Sequence, residues 1–287
     1  MKLITEIENY ENLPKYQVDG IIFSYINFAT ISNKTFTYPE IQRIVEMAKK
    51  LNKFTILKVD KIMEEDELED LYKLLDASME LEIDYYMFSD MAVLNYFKEK
   101  KEMKRLIYAS KTMNCSYNDI SYYQSQGIKV IPSNELTLED LQEIVKLDNI
   151  VLDGYGYSSI FYSKRKLLTL FKEYIKSEDN FTEQLFTIKE EKRENRYPIF
   201  ENKNGTFIFT ANKYVIYKEL EVLKNSFMFK VESLFIKEED LFEILAIYNN
   251  AIKNGISEED YQKLLYQDNN ISTSFLYKKP SILDSGL

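Results

Sequence analysis

Polar side chains gather where the predicted strands of this 287-residue chain end. The runs are Ser89-Asp90, Ser110-Lys111-Thr112-Met113-Asn114, Ser133-Asn134-Glu135, Asp153-Gly154-Tyr155-Gly156, Thr210-Ala211-Asn212 and Lys230-Val231-Glu232. Carboxylates so placed can act as general acid and base, or hold a hard divalent ion. Asp90, Glu135 and Glu232 are therefore the candidate catalytic residues. Ser110, Asn114, Asn134 and Asp153 are candidate ligand-binding residues, amides, hydroxyls and acids that would orient a polar ligand. Arg165 and Lys230 add cations able to pair a carboxylate or phosphate. Arg165 sits in the basic run Lys164-Arg165-Lys166, which follows the loop 154–162. The same acids have a plain structural use, because Ser89-Asp90 and Asp153-Gly154 also fit helix caps and turns. The pairs Ser110-Lys111 and Ser163-Lys164 do not read as catalytic dyads, since strand neighbours point to opposite faces.

Composition removes many alternatives. There is no His, which excludes Ser-His-Asp and Cys-His nucleophile systems and His-ligated zinc or haem. A single Cys, Cys115, excludes a disulfide framework, a Cys-ligated zinc site and a four-Cys iron–sulfur cluster, so no metal and no bound cofactor is expected. Seven Gly supply neither a phosphate-binding loop nor a dinucleotide fingerprint; Gly154–Gly156 is the one GxG. The net charge of −10 opposes free-standing nucleic-acid binding. The N-terminus is quickly acidic and lacks the apolar core of a signal peptide. No apolar run approaches a membrane span, so a cytoplasmic location without membrane contact is expected.

The elements that must position these residues alternate in type. Strand candidates are residues 21–25, 54–59, 85–89, 106–110, 129–132, 150–153, 206–210 and 227–232. Amphipathic helices lie between them. Ile41, Ile44, Val45 and Ala48 share one face, as do Leu71, Tyr72 and Leu75, and Leu241, Ile244, Leu245 and Tyr248. Leu167, Leu170, Phe171, Tyr174 and Ile175 form a further stripe expected to pack in the core. Strand starts recur every 21 to 33 residues up to the sixth, then a gap of 56 opens. Eight strands at this pitch predict an α/β fold of the (β/α)8, TIM-barrel-like kind, with a β-hairpin insertion between the sixth and seventh strands. One domain over 1–287 is expected, with 176–204 as the insertion and 281–287 as a frayed tail.

In these segments the chain resembles the peptidase U32 family, the collagenase-like peptidases. The similarity runs in order through residues 84–91 (DYYMFSDM), 108–118 (YASKTMNCSYN), 127–143 (GIKVIPSNELTLEDLQE), 196–212 (RYPIFENKNGTFIFTAN), 229–232, 248–252 and 270–277 (NISTSFLY). Iron–sulfur members of the family carry Cys in the segments matching 153–163 and 212–215; this chain has none there. Asn134 stands in place of the family's Arg, and 230–234 and 270–274 have lost Gly and Arg. Residues 161–168 (FYSKRKLL) are similar to the short, cysteine-poor branch, commonly encoded beside a longer Cys-bearing member. The resemblance implies a subunit or accessory factor in prephenate-dependent 5-hydroxylation of the tRNA wobble uridine. The implied partner is a longer Cys-bearing U32 paralogue that holds the iron–sulfur cluster and brings the tRNA; a small anionic ligand is a further expectation. The alternatives are a U32 peptidase of unknown mechanism and a non-catalytic small-molecule-binding or scaffold barrel.

Overall fold

The computed structural model describes residues 1–110, 113–192, 194–267 and 270–278; Lys111 and the expected tail 281–287 lie outside the described residues. In chain order the strands are β1 (Lys2–Glu6), β2 (Gly20–Tyr25), the short β3 (Thr35–Phe36), β4 (Phe54–Val59), β5 (Tyr85–Phe88), β6 (Leu106–Tyr108), β7 (Lys129–Val130) and β8 (Val151–Gly156). There follow β9 (Ser159–Ser163), β10 (Leu185–Lys189), β11 (Arg196–Asn202), β12 (Gly205–Phe209), β13 (Lys213–Val215), β14 (Met228–Val231) and β15 (Ile271–Ser272). The helices are α1 (Tyr38–Lys50), α2 (Leu68–Glu80), α3 (Met91–Glu99), α4 (Tyr117–Ser125), α5 (Leu138–Ile144), α6 (Leu167–Ile175), α7 (Glu238–Asn254) and α8 (Glu258–Gln267).

The result is a mixed α/β fold around one curled sheet. Eight strands pair in parallel in the order β8-β14-β1-β2-β4-β5-β6-β7. A parallel bridge from Val130 to Ile150 joins its two ends. Parallel neighbours require crossovers, and helices α1 to α5 supply them. The strands are nearly all apolar because both faces are covered; in β2, five of six residues are buried. On the inner face Ile4, Ile22, Ile56, Met87, Ile107, Ile131, Val151 and Met228 form one apolar layer, a residue from each strand or its immediate end. The outer face packs on the helices. Ile41, Ile44, Val45 and Ala48 of α1 are buried there, as their spacing requires. Pro39 and the Glu40 carboxylate, which accepts the Thr37 backbone N–H at 2.8 Å, start that helix.

Two elements differ from the sequence-based expectation. Residues 206–210 do not join the parallel sheet. They form β12, which pairs antiparallel with β11 and β9 in a separate sheet ordered β10-β11-β12-β9. The two residues between Asn202 and Gly205 leave room only for a hairpin, so the pairing is local and antiparallel. The vacant parallel place belongs to β1, lodged between β14 and β2. The antiparallel segment thus falls between the seventh and eighth parallel strands, and it starts earlier than residue 176, at β9. Its hairpin tip is pinned to the loop after β2: Asn204 Nδ2 donates to the Ala29 and Thr30 carbonyls at 3.0 and 2.9 Å. Helix α6 also departs from expectation. It buries Leu168, while Leu170, Phe171, Tyr174 and Ile175 are exposed.

Gly154 in β8 has a packing role. A Cβ there would lie 1.8 Å from Cζ of Phe229 on the neighbouring β14. Gly154→Ala should therefore lower stability by about 1–3 kcal/mol through overpacking, read from the urea midpoint; an unchanged midpoint would contradict this account.

Candidate functional site

Side chains on a strand repeat every second residue on one face. Stepping two residues past the apolar layer, toward the C-terminal ends of the strands, gives Glu6, Ser24, Lys58, Ser89, Ala109, Ser133, Asp153 and Lys230. The inner face thus turns from apolar to ionic within one step. Lys58 Nζ donates to Glu6 Oε2 at 2.9 Å and to the Ile31 carbonyl at 2.7 Å. Glu6 Oε1 accepts from the Ser24 and Ser32 hydroxyls, both at 2.6 Å. Lys230 Nζ donates to Asp153 Oδ1 at 2.9 Å and to Glu232 Oε2 at 3.0 Å. Glu232 is held in turn by the backbone N–H groups of Ser233 and Leu234 on its Oε1.

Glu6, Lys58, Asp153, Lys230 and Glu232 floor a cavity of about 400 Å³. Its walls come from the loops beyond the strands and from the antiparallel sheet, with Tyr157, Ile160, Phe209, Leu234 and Phe275 as the large apolar surfaces. Asn134 lines it as well and donates through Nδ2 to Ser158 Oγ at 2.7 Å. Burial by itself would push both ammonium pKa values down. For Lys58 the charges of Glu6, Asp60 and Glu232 outweigh burial and hold the pKa well above the ordinary lysine value. For Lys230, Asp153 and Glu232 do the same. Both lysines therefore stay protonated, as fixed N–H donors rather than bases.

Five of the sequence-predicted residues come together here: Glu135, Glu232, Asn134, Asp153 and Lys230 all line the cavity. Four do not line it. Asp90 caps α3, accepting from the Ala92 N–H at 2.8 Å, and its other oxygen accepts from the Met63 N–H at 2.9 Å. Asn114 is buried and donates to the Ile131 carbonyl at 3.0 Å. Ser110 lies at the end of the strand region after β6, away from the lining, and Arg165 is exposed on the turn before α6. Sequence reasoning missed Glu6 and Lys58. Glu6 ends a strand that the sequence did not reveal and Lys58 lies inside β4; the two-residue alternation with Ile4 and Ile56 is the signal that identifies them.

An iron–sulfur cluster does not fit these residues. Cys115 is the chain's one thiol; it is exposed and does not line the cavity. The segments 153–163 and 212–215 do meet, since Tyr214 of β13 pairs with Gly156 of β8. The side chains they bring to the cavity are Asp153, Tyr157, Ser158, Ser159, Ile160, Asn212 and Tyr214, none a thiolate. Among the described residues no group of three or more Cys, Asp or Glu is arranged to hold a metal ion. No described helix is long and apolar enough to cross a membrane.

A polar chamber at the C-terminal ends of a curled parallel sheet is the layout of an α/β protein that binds a small group among its strand-end loops. The chain belongs to peptidase family U32, whose family model matches residues 5–283. It is 26% identical over 242 residues to tRNA hydroxylation protein P2 of Bacillus subtilis (strain 168), a match covering 81% of this chain and 78% of that protein. The solved U32 peptidase Mk0906 shares the fold, with a TM-score of 0.50 at 12% identity over 81% of this chain and 92% of the other.

The ion pairs make a pH-dependent prediction. Because both lysine pKa values are raised on folding, their stabilisation is complete below the unfolded value of ~10.4 and is lost as the pH climbs through the folded values. Lys230→Met leaves Asp153 and Glu232 without their cation and should cost about 3 kcal/mol near neutral pH. That difference from wild type should stay level from about pH 6 to about pH 10 and shrink only in stronger base. Urea unfolding of both proteins across this range measures it; a difference that already fades between pH 7 and pH 9 would contradict the assignment.

Proposed function

We propose that this chain is a cluster-less U32 subunit or accessory factor in prephenate-dependent 5-hydroxylation of the tRNA wobble uridine. The observation that carries this reading is the similarity to tRNA hydroxylation protein P2 along most of both chains. Its cavity supports the reading by offering a ligand chamber without redox ligands. The single exposed Cys115 leaves the redox chemistry to another protein, for which a longer Cys-bearing U32 paralogue is the natural candidate. A net charge of −10 favours delivery of tRNA by that partner in the cytoplasm over unaided capture.

In this reading the curled sheet is a (β/α)8 barrel, and β9 to β12 form an insertion over the C-terminal rim where such folds keep their chemistry. Lys58, Lys230, Glu6, Asp153 and Glu232 form the floor that meets the ligand, and Asn134 and Glu135 stand at its side. The cavity gives peptidase chemistry little support. Amide hydrolysis requires an activated nucleophile or a metal-bound water. Ser158 is engaged by Asn134, and both lysines are held protonated by carboxylates.

Mass spectrometry of nucleosides from bulk tRNA tests the proposal. Deleting this gene alone should lower 5-hydroxyuridine derivatives, wild-type protein should restore them, and Lys230→Met should restore them poorly. Unchanged nucleosides in the deletion strain would overturn the reading.

A further inference from the structure

The antiparallel sheet ends in an open strand. Among the described residues β10 pairs with β11 alone, so its outer backbone edge is unpaired. Proteins blunt such edges with Pro, a bulge or charge. The opposite edge strand, β9, pairs with a register shift at Ile208/Phe209. β10 has no Pro and keeps a regular register over Leu185-Phe186-Thr187-Ile188-Lys189, with one charge at its end. The surface beside it is uncovered too. Phe186 pairs with Ile199, which shares a face with Glu201, and Glu201 caps the start of α6. Phe181 joins Phe186 to Phe171 of α6, with ring centroids 5.2 and 6.4 Å away. The apolar face of α6 and one face of β10 are thus a single surface.

Size, pattern and charge fit this edge to a second copy of itself. Leu170, Phe171, Tyr174, Ile175, Leu185 and Ile188 are 39% to 84% exposed. At ~150–250 Å² for a whole large side chain, they offer roughly 600 Å² of apolar surface per copy, most of the ~800 Å² that each partner gives to a standard interface. A two-fold axis through Thr187 sets Phe186 against Ile188 of the second copy on the α6 face. On the other face Thr187 meets its own mate, and Leu185 lies against the Lys189 stem. Aromatic–β-branched and Thr–Thr are favourable cross-strand pairs, so the strand complements itself. Residues 164–196 carry nine Lys or Arg against seven Asp or Glu in a chain of net charge −10, so copies meeting here keep their acidic surfaces apart. We propose that two copies of this chain pair antiparallel through β10, fusing their antiparallel sheets, with the α6 faces packed beside the two-fold axis. Tyr197 pairs with Ile188 and lines the cavity, so the axis lies one strand from the cavity wall. This pairing is independent of the functional reading above.

Sedimentation velocity on the full chain at micromolar concentration tests it, and should show a particle of twice 34.1 kDa. Ile188→Lys should raise the dissociation constant roughly a hundredfold, about tenfold for each of its two copies in the interface. Thermal unfolding checks that the variant is folded. A second test reads the register and needs no loss of stability. In a Cys115→Ser background, Thr187→Cys places two thiols opposite each other, with Cα atoms about 4.5–5.5 Å apart, within disulfide reach. Leu185→Cys leaves its two thiols four residues out of step, about 14 Å apart. Diamide should therefore cross-link the Thr187→Cys chain into a dimer and leave the Leu185→Cys chain single. A monomer in sedimentation overturns the proposal, even one whose β10 accepts a strand from a different protein. A dimer untouched by folded Ile188→Lys, or equal cross-linking at both positions, overturns it as well.

Discussion

In a curled parallel sheet, the residue that fills the inner layer fixes the facing of the position two steps on, because the backbone repeats with that period. Ile4, Ile56, Val151 and Met228 close the apolar layer, so Glu6, Lys58, Asp153 and Lys230 must share the enclosed space above it. Two ammonium groups in that space oblige the chain to supply anions. β1 provides one because it lies beside β2, which in turn pairs with β4. β8 and the residue after β14 provide the others. Stability alone does not ask for this arrangement. Buried ion pairs recover little more than their desolvation cost, and apolar residues of the same size would often serve as well.

The antiparallel sheet depends on a second buried charge. Glu201 is fully buried and accepts from the Leu168 and Thr169 backbone N–H groups at 2.8 and 3.2 Å. It also accepts from the Thr206 hydroxyl at 2.8 Å. A carboxylate at the first turn of α6 satisfies donors that no helix can satisfy internally, and it meets the positive end of the helix dipole. That contact ties α6 to β11 and β12, while Asn202 and Asn204 tie the hairpin tip to the loop after β2. Phe207 and Phe209 then pack with Ile31 and Leu234, and Phe209 and Tyr197 reach the cavity wall. The sheet is held over the cavity from two sides.

Seven of the eight parallel strands were legible because a strand buried on both faces is nearly all apolar, as in 21–25 and 54–59. β1 was not, since it has five residues and ends in Thr5 and Glu6, which read as the start of an acidic surface. Residues 206–210 had the right composition for a strand, but composition does not reveal the direction of pairing. The stripe on α6 had the right period for a core helix; period shows that a face is apolar, not that something covers it. Within the site, reading polar residues at the predicted end of each strand reached Asp153, Lys230 and Glu232. The same rule misplaced Asp90, whose position before an apolar helix is also that of an N-cap.

The two lysines differ from the usual surface lysine in a way that matters for recognition. A free lysine is a hydrated point charge on a flexible stem, able to meet an acceptor from many directions. Lys58 and Lys230 are each anchored at two acceptors, and the ammonium geometry then fixes the direction of the third N–H. Enclosure lowers the local dielectric, so such a donor is stronger than in water and is already oriented. The carboxylates that hold the ammonium groups also cancel their long-range pull on anions. What remains is short-range and directional.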